Sequence, residues 1–186
     1  MLKRCDYLHR VFRYCPVCSA ASFGPSQGQQ KPVKRLLCGS CGFEYFINAA
    51  ASVMAIIERA DGVILLTRRM KDPASGTLDL PGGFVDPGEP AEAAVVREVQ
   101  EECGLTVRPV GLADRTYCNE YSYGGVIYYT LDLVFFCEAD SWEELHSGDQ
   151  EETQTVLMPR SLIAGEFFGL PSVRQAITDY LGNTCR

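Results

Sequence analysis

The chain has 186 residues, 46% hydrophobic and 22% charged, with a formal net charge of −7. That length allows one full domain with about forty residues left for an appendage, and that apolar fraction excludes a wholly disordered chain. No apolar run approaches the roughly eighteen residues of a membrane span, and the N-terminus, with Lys3, Arg4, Asp6, His9 and Arg10, lacks a secretory signal's apolar block. A soluble cytoplasmic protein with no membrane partner is therefore expected.

Charge is divided unevenly. Residues 1–47 hold seven basic and two acidic residues, a net of +5; residues 48–186 hold ten basic and twenty-two acidic, a net of −12. An acidic body is a poor general binder of nucleic acid, because phosphate contacts need positive charge. Clustered carboxylates would instead attract divalent cations. The chain thus reads as two domains, 1–47 and 48–186.

Residues 1–14 show no clear period and read as an arm. Cys15-Pro-Val-Cys18 and Cys38-Gly-Ser-Cys41 follow, nineteen residues apart. A disulfide framework would normally use an even number of cysteines in a secreted chain, and this chain has nine. One Cys-x-x-Cys alone would leave a redox reading open. Two at this separation read as a tetrahedral zinc ribbon with Cys15, Cys18, Cys38 and Cys41 as ligands. Four thiolates leave no place for substrate, so the Zn²⁺ is structural and supplies folding energy to a module too small for a core. Ser22–Lys31, rich in Gly, Pro, Ser and Gln, reads as a loop, and Phe43–Ile47 as the ribbon's last strand. Cys5, Cys103, Cys118, Cys137 and Cys185 read as ordinary thiols.

From Ala51 the texture changes. Ser52–Glu58 and Gly62–Arg68 read as strands joined by a turn at Arg59-Ala60-Asp61. Lys71–Gly76 reads as a loop, and Leu78–Leu80 as a short strand leading into Pro81-Gly82-Gly83. Residues 90–103 predict a helix, with Pro90 in its first turn, Ala and Glu in its interior and Gly104 as a left-handed stop. Residues 105–118 and 126–139 predict strands, with a turn signal at Gly124-Gly125. Thr155–Met158 predicts a further strand. Residues 172–181 predict a last helix, with Val173, Ile177 and Leu181 in one stripe. Alternation over 126–139 places Tyr128, Thr130, Asp132 and Val134 on one face, and Tyr129, Leu131, Leu133 and Phe135 on the other. Most of the aromatics read as sheet packing; Tyr121 or Tyr123 could stack on a base. Arg68, Arg69 and Lys71 could meet phosphates.

The helix over 90–103 carries the chemistry. Glu98, Glu101 and Glu102 stand at i, i+3 and i+4 and share one face, where like charges cost a few tenths of a kcal/mol per pair. A cation bound among them would remove that cost, and an all-oxygen ligand set suits Mg²⁺ or Mn²⁺ better than Zn²⁺. Val95, Val99 and Cys103 form the opposite, apolar stripe. The glycine pair that precedes the helix lets backbone approach a metal or phosphate closely.

Gly83, Glu89, Arg97-Glu98-Val99, Glu101-Glu102 and Gly104-Leu105 match every fixed position of the Nudix box, G-x5-E-x7-R-E-U-x-E-E-x-G-U with U bulky aliphatic. The segment therefore resembles the Nudix hydrolases, and with flanking strands the resemblance covers about residues 50–182. It implies the α/β class: a Nudix α/β/α sandwich with a mixed sheet, here preceded by the small zinc ribbon. It implies hydrolysis of the diphosphate bond in a nucleoside diphosphate linked to another group, X. Carried over residue by residue, Glu98 and Glu102 would be the principal Mg²⁺ or Mn²⁺ ligands. Glu101 would be a further ligand or help activate water, and the Gly82 carbonyl would complete the metal shell. Arg97 would pair with Glu89 to fix loop against helix. Some members use a carboxylate outside the box, a role that Glu151 or Glu152 could fill, with Glu152 taken first and Glu120, Glu143 and Glu144 as rivals.

A zinc ribbon before a Nudix domain resembles the NADH pyrophosphatase branch. That branch carries S-Q-P-W-P-F-P after the box, whereas this chain reads DRTYCNEYSY over Asp114–Tyr123, and its one Trp is Trp142. NAD(H) therefore stands beside ADP-ribose and related small nucleotides as a candidate substrate. A second enzymatic reading is a house-cleaning nucleoside triphosphate pyrophosphatase. A rival from another class is a nucleotide-sensing or nucleic-acid-binding regulator using the ribbon. The intact box and the absence of an aromatic-interleaved basic stripe favour the enzyme. Homodimerisation is common in the family, and no residue here fixes it.

Overall fold

The computed structural model describes residues 11–25, 35–124, 126–148 and 153–182. The first ten residues of the arm, most of the loop between the cysteine pairs, Gly125, Cys5, Cys185, Glu151 and Glu152 lie outside the described residues. The chain folds as two compact units, Met1–Ala49 with Gly124–Val126 and Ala50–Tyr123 with Ile127–Arg186.

In the first unit, β1 (Phe23–Pro25), β2 (Arg35–Cys38) and β3 (Glu44–Phe46) form an antiparallel sheet in that order. Its buried core is small: Cys15, Phe23, Leu36 and Cys38, with Phe12, Ala20, Phe43 and Ile47 packed against them. The two Cys-x-x-Cys turns are built alike. Ser19 N–H donates to the Cys15 carbonyl at 2.8 Å and Gly42 N–H to the Cys38 carbonyl at 3.0 Å. Cys15 N–H then takes the Ala20 carbonyl at 3.0 Å and Cys38 N–H the Phe43 carbonyl at 2.9 Å. Ser19 and Gly42, the residues after each pair, both have positive φ, 60° and 76°.

The second unit is a mixed α/β fold. Its strands are β4 (Ala50–Ile57), β5 (Val63–Arg69), β6 (Leu78–Asp79), β7 (Gly82–Phe84), β8 (Val107–Leu112), β9 (Tyr117–Tyr123), β10 (Val126–Ala139) and β11 (Thr153–Pro159). Helix α1 spans Ala91–Cys103 and α2 Pro171–Gly182. One sheet runs β7-β4-β10-β8, with β9 also on β10, and a second runs β11-β5-β6. β4 and β10 are parallel, while β7 and β8 run antiparallel to their neighbours.

Period-two alternation sets the layers. Val53, Ala55 and Ile57 of β4 join Val95, Val99 and Cys103 of α1 in one cluster. Met54 and Ile56 join Val173, Ala176 and Ile177 of α2 in the other. The strands are thus covered by one helix on each side, an α/β/α sandwich. Burying one Val contributes about 1.5–3 kcal/mol, which outweighs the few tenths that each like-charge pair costs the acidic face of α1.

Helix α1 ends at Gly104, with φ 68° and its N–H on the Gln100 carbonyl. Pro90 sits one position before the first helical residue, extended at φ −67° and ψ 143°, rather than inside the first turn. The strand expected over 105–118 is two strands, because Asp114 and Arg115 make an exposed bend between β8 and β9. Where β8 meets β10 the register shifts, Phe136 opposing Gly111 and Cys137 opposing Pro109. Pro109 has no N–H to offer, and an irregular step accommodates it. Asn119 of β9 caps α2, its Oδ1 accepting the Ser172 N–H at 3.1 Å. No helix among the described residues is long and apolar enough to cross a membrane.

Candidate active site

The site is assembled where β6–β7 meets the acidic face of α1. Gly82 N–H donates to Glu102 Oε2 at 3.0 Å. Gly82 has φ +155°, and a Cβ there would stand 2.1 Å from the Val53 carbonyl oxygen of β4. At Gly83 a Cβ would fall 2.5 Å from the Glu98 carboxyl. Gly82 is therefore required by its close approach to fixed backbone, whereas Gly83 lies against the end of a side chain that can move.

Arg97 staples the preceding loop to the helix. Its Nε and Nη2 donate to the two oxygens of Glu89, at 3.0 and 2.9 Å, and Nη2 also reaches the Phe84 carbonyl at 3.0 Å. Nη1 is shared by Glu98, at 2.8 Å, and Glu101, at 3.3 Å. The Arg97 bond, helped by the Asp86 N–H, lowers the Glu89 carboxyl below its usual range. The three carboxylates of the helix face differ in setting. The Glu101 side chain is 61% exposed and that of Glu98 15%.

Burial raises Glu98, with Arg97 opposing. Burial also pushes Glu102 up to about 8; the Gly82 N–H opposes this, while Asp79 and Glu98 add to it. Asp79 is buried and raised for the same reason, against the pull of Arg69. Arg69 Nη1 holds Asp79 Oδ2 at 2.7 Å, its Nε holds the Pro73 carbonyl at 2.7 Å, and Leu80 N–H holds Asp79 Oδ1 at 2.9 Å. Glu98, Glu102 and Asp79 are thus all pushed toward the protonated form, and a cation among them would favour ionisation. A divalent cation fits this all-oxygen donor set, and the missing Cβ of Gly83 leaves the Glu98 carboxyl its room.

A cavity of about 160 Å³ adjoins the cluster, lined by Arg69, Asp79, Gly82, Gly83, Phe84, Asn119, Tyr121, Thr130 and Asp132 among others. Tyr121 stacks on Tyr128 with ring centroids 5.7 Å apart. Of the basic residues singled out in sequence, Arg69 lines the cavity, while Arg68 turns to the Gly76 carbonyl. Lys71 is exposed, as are Glu120, Glu143 and Glu144. The loop before β11 is tied to the end of α1, Gly148 N–H donating to the Glu102 carbonyl at 2.8 Å. Glu152, beyond it, lies outside the described residues. Sequence reasoning passed over Asp79 and the buried polar residues Ser52, Asn119 and Ser172; a polar residue among apolar strand neighbours was a signal for Asp79 and Ser52, whereas Asn119 lies in the polar strand β9 and Ser172 at the start of α2.

In the first unit, the Sγ atoms of Cys15, Cys18, Cys38 and Cys41 all lie within 4.8 Å of one another. Cys15–Cys41 and Cys18–Cys38 are 3.7 and 3.6 Å apart, near the edge of about 3.8 Å that a tetrahedron with Zn–S bonds of about 2.3 Å would have. The Cys41 backbone N–H, donating to Cys38 Sγ at 3.5 Å, is the main reason the Cys38 thiol is lowered to about 6. These four thiols fit Zn²⁺.

Known proteins share these features. A segment is 48% identical over 63 residues to an ADP-ribose pyrophosphatase of Methanocaldococcus jannaschii, covering 34% of this chain and 37% of that protein. Another is 29% identical over 97 residues to the NAD-capped RNA hydrolase NudC of Stutzerimonas stutzeri, covering 52% of this chain and 33% of that one. The chain thus spans about a third of the length of these relatives. A crystal structure of a NUDIX hydrolase from Nitrosomonas europaea superimposes with a TM-score of 0.68 over 91% of this chain and 90% of that one, at 19% identity, a likeness of fold. The model of the NUDIX domain matches residues 48–175, well over half of the sequence, and on that ground the chain belongs to the NUDIX domain family.

Proposed function

We propose that the protein is a nucleotide diphosphatase that uses Mg²⁺ or Mn²⁺ to hydrolyse the diphosphate bond of a nucleoside diphosphate linked to a second group. ADP-ribose and NAD(H) are the first substrates to test, and the relatives are named for the former and for NAD-capped RNA. The observation that carries this reading is the pair of Glu98 and Glu102 packed against Gly82 and Gly83 at the edge of a cavity lined by Arg69.

Glu98 and Glu102, with the Gly82 carbonyl, would hold the metal, and Glu101 would extend the set. The chemistry that a bound Mg²⁺ or Mn²⁺ supplies is neutralisation of phosphate charge and a lowered pKa for attacking water. The chain's own groups do the rest. Arg97 fixes Glu89 and bears on Glu98, so the helix face and the loop keep one geometry. Arg69, anchored by Asp79, places positive charge on the cavity wall for a phosphate oxygen. Water oxygen attacks one phosphorus, and the bridging oxygen leaves with the other phosphate. The water's proton passes to a carboxylate oxygen of Glu101 or of Glu152. Zn²⁺ in the ribbon is structural, and a cytoplasmic location accords with thiols kept reduced.

The test is phosphate release, with phosphatase coupling, from ADP-ribose, NADH, NAD⁺, diadenosine polyphosphates, nucleotide sugars and nucleoside triphosphates in Mg²⁺ or Mn²⁺. One preferred diphosphate-linked substrate is expected. Turnover of triphosphates alone would move the assignment to a triphosphate pyrophosphatase. Silence across the panel with both metals would move it to nucleotide sensing.

A further inference from the structure

Helix α1 ends in the residues that the site needs most. Glu102 is the last residue but one of Ala91–Cys103, and the final turn of a helix frays readily because its carbonyls lack partners within the helix. No basic residue stands in that turn to offset the negative end of the helix. The segment after β10 takes over both tasks. Its Trp142 and Leu145 pack against the cluster that contains Val95, Val99 and Cys103. His146 N–H then donates to the Cys103 carbonyl at 3.0 Å, and Gly148 N–H to the Glu102 carbonyl at 2.8 Å.

The contact is too close for a side-chain carbon on either side. At Gly104 a Cβ would stand 2.1 Å from the His146 ring. At Gly148 it would stand 1.8 Å from the Glu101 carbonyl oxygen and 3.2 Å from the Glu102 Cα, both fixed backbone. Gly104 has a left-handed φ of 68° and so also serves the helix stop. The φ of Gly148 lies outside the left-handed region, and its missing Cβ answers to the approach to α1 rather than to backbone strain. The segment is braced from β11 as well. Thr155 N–H donates to Ser147 Oγ at 2.9 Å, and Thr155 Oγ1 donates to the His146 carbonyl at 3.0 Å. Glu102 is thereby held at both ends, its backbone by Gly148 and its carboxylate by the Gly82 N–H at 3.0 Å.

We infer that Gly148 is a positioning residue for the metal site: it clasps the last turn of α1 so that the Glu102 carboxylate keeps its place beside Gly82. A site residue displaced by more than about 0.5 Å loses its productive geometry. Groups that orient a metal ligand from behind contribute about 10–100-fold in metal affinity or activity. Gly148 acts in that way, through the backbone of Glu102 and not on the substrate. The inference rests on the reading of Glu102 as a ligand of Mg²⁺ or Mn²⁺.

Calorimetric titration of Mn²⁺ into the full-length, zinc-loaded protein tests it, with a melting curve for each variant. Gly148→Ala has to shift the segment or the helix turn, and its Mn²⁺ affinity should fall about tenfold or more. Thr155→Val removes the bond to the His146 carbonyl and should lower the affinity severalfold. Thr155→Ser keeps the hydroxyl and should bind as the wild type does. Tyr180→Phe is the control for stability alone. It removes the hydroxyl that bonds Glu58, on the α2 side of the sheet, and should melt lower with Mn²⁺ affinity unchanged. Wild-type affinity in Gly148→Ala, or an equal loss in Tyr180→Phe, overturns the inference. If Gly148→Ala does not fold, the Thr155 pair decides, and wild-type affinity in Thr155→Val, or an equal loss in Thr155→Ser, overturns it. Glu102→Gln separates the two readings. When it loses Mn²⁺ affinity and Gly148→Ala does not, the clasp fails and the metal site stands. When it keeps the affinity, or the wild type binds no Mn²⁺, Glu102 is no ligand and the clasp falls with it.

Discussion

Glu102 concentrates what the site asks of single residues. In the metal-free protein it is pushed up to about 8 by burial and by the carboxylates around it, Asp79 and Glu98. Glu102→Gln removes the charge but keeps an oxygen that can accept the Gly82 N–H. The metal-free variant should therefore melt no lower than the wild type, while turnover falls by at least about a hundredfold, the scale lost with a group that acts on transition-state charge. A variant that hydrolyses normally would take Glu102 out of the machinery. The neighbouring glycines separate fold from chemistry. Gly82→Ala meets the Val53 carbonyl, fixed backbone, at a φ of +155°, and should cost about 1–3 kcal/mol or more of stability. Gly83→Ala meets only the end of the Glu98 side chain, which can swing aside. Its melting temperature should change less than that of Gly82→Ala and its activity more than its stability. Melting curves and initial rates of the two variants decide this, and equal melting losses would contradict it.

Among the elements, α1 and the loop before it are held by one ion pair. Arg97 lowers the Glu89 carboxyl from its usual value of 4.5. A lowered carboxylate contributes stability that is present above its unfolded value and lost as pH falls through the lower, folded value. Glu89→Gln should therefore melt below the wild type at pH 7, and the gap should close as pH drops well under 4.5. A gap that persists in acid would mean that the amide fails for a steric reason. The helix itself was legible: its stop at Gly104 and its apolar stripe of Val95, Val99 and Cys103 both appear in the fold. The strand expected over 105–118 was not, because β-propensity does not register that Asp114 and Arg115 bend outward, with Arg115 held by Asp179 of α2 at 3.1 Å. That partner is sixty-four residues away, and no local pattern encodes it.

For the whole molecule, the two units have cores of very different size. Among the described residues the ribbon buries four in its cluster, two of them cysteines, while the larger unit is built on two clusters. A core so small would depend on a metal held by its four cysteines. A strong zinc chelator should release about one Zn²⁺ per chain and abolish the ordered signal of the ribbon, leaving the cooperative melting of the larger unit in place. Metal analysis with calorimetry checks this, and a zinc-free protein whose melting is unchanged in every part would remove the structural role of zinc.

Fixed spacing made one layer of this protein readable along the chain. The Cys-x-x-Cys pairs, the carboxylates at i, i+3 and i+4 and the glycine before them are local, and a turn or helix of known pitch turns such intervals into geometry. Alternation likewise put Thr130 and Asp132 on one strand face. It could not say that Ser52, seventy-eight residues before Thr130, and Ser172, beyond it, would close around that face, nor that the Thr130 hydroxyl would find no partner among the described residues. Those facts arise from the parallel pairing of β4 with β10 and the docking of α2, contacts between distant segments. Burial and the raised Glu102 have the same origin, since desolvation depends on everything folded around a group and not on its neighbours in sequence.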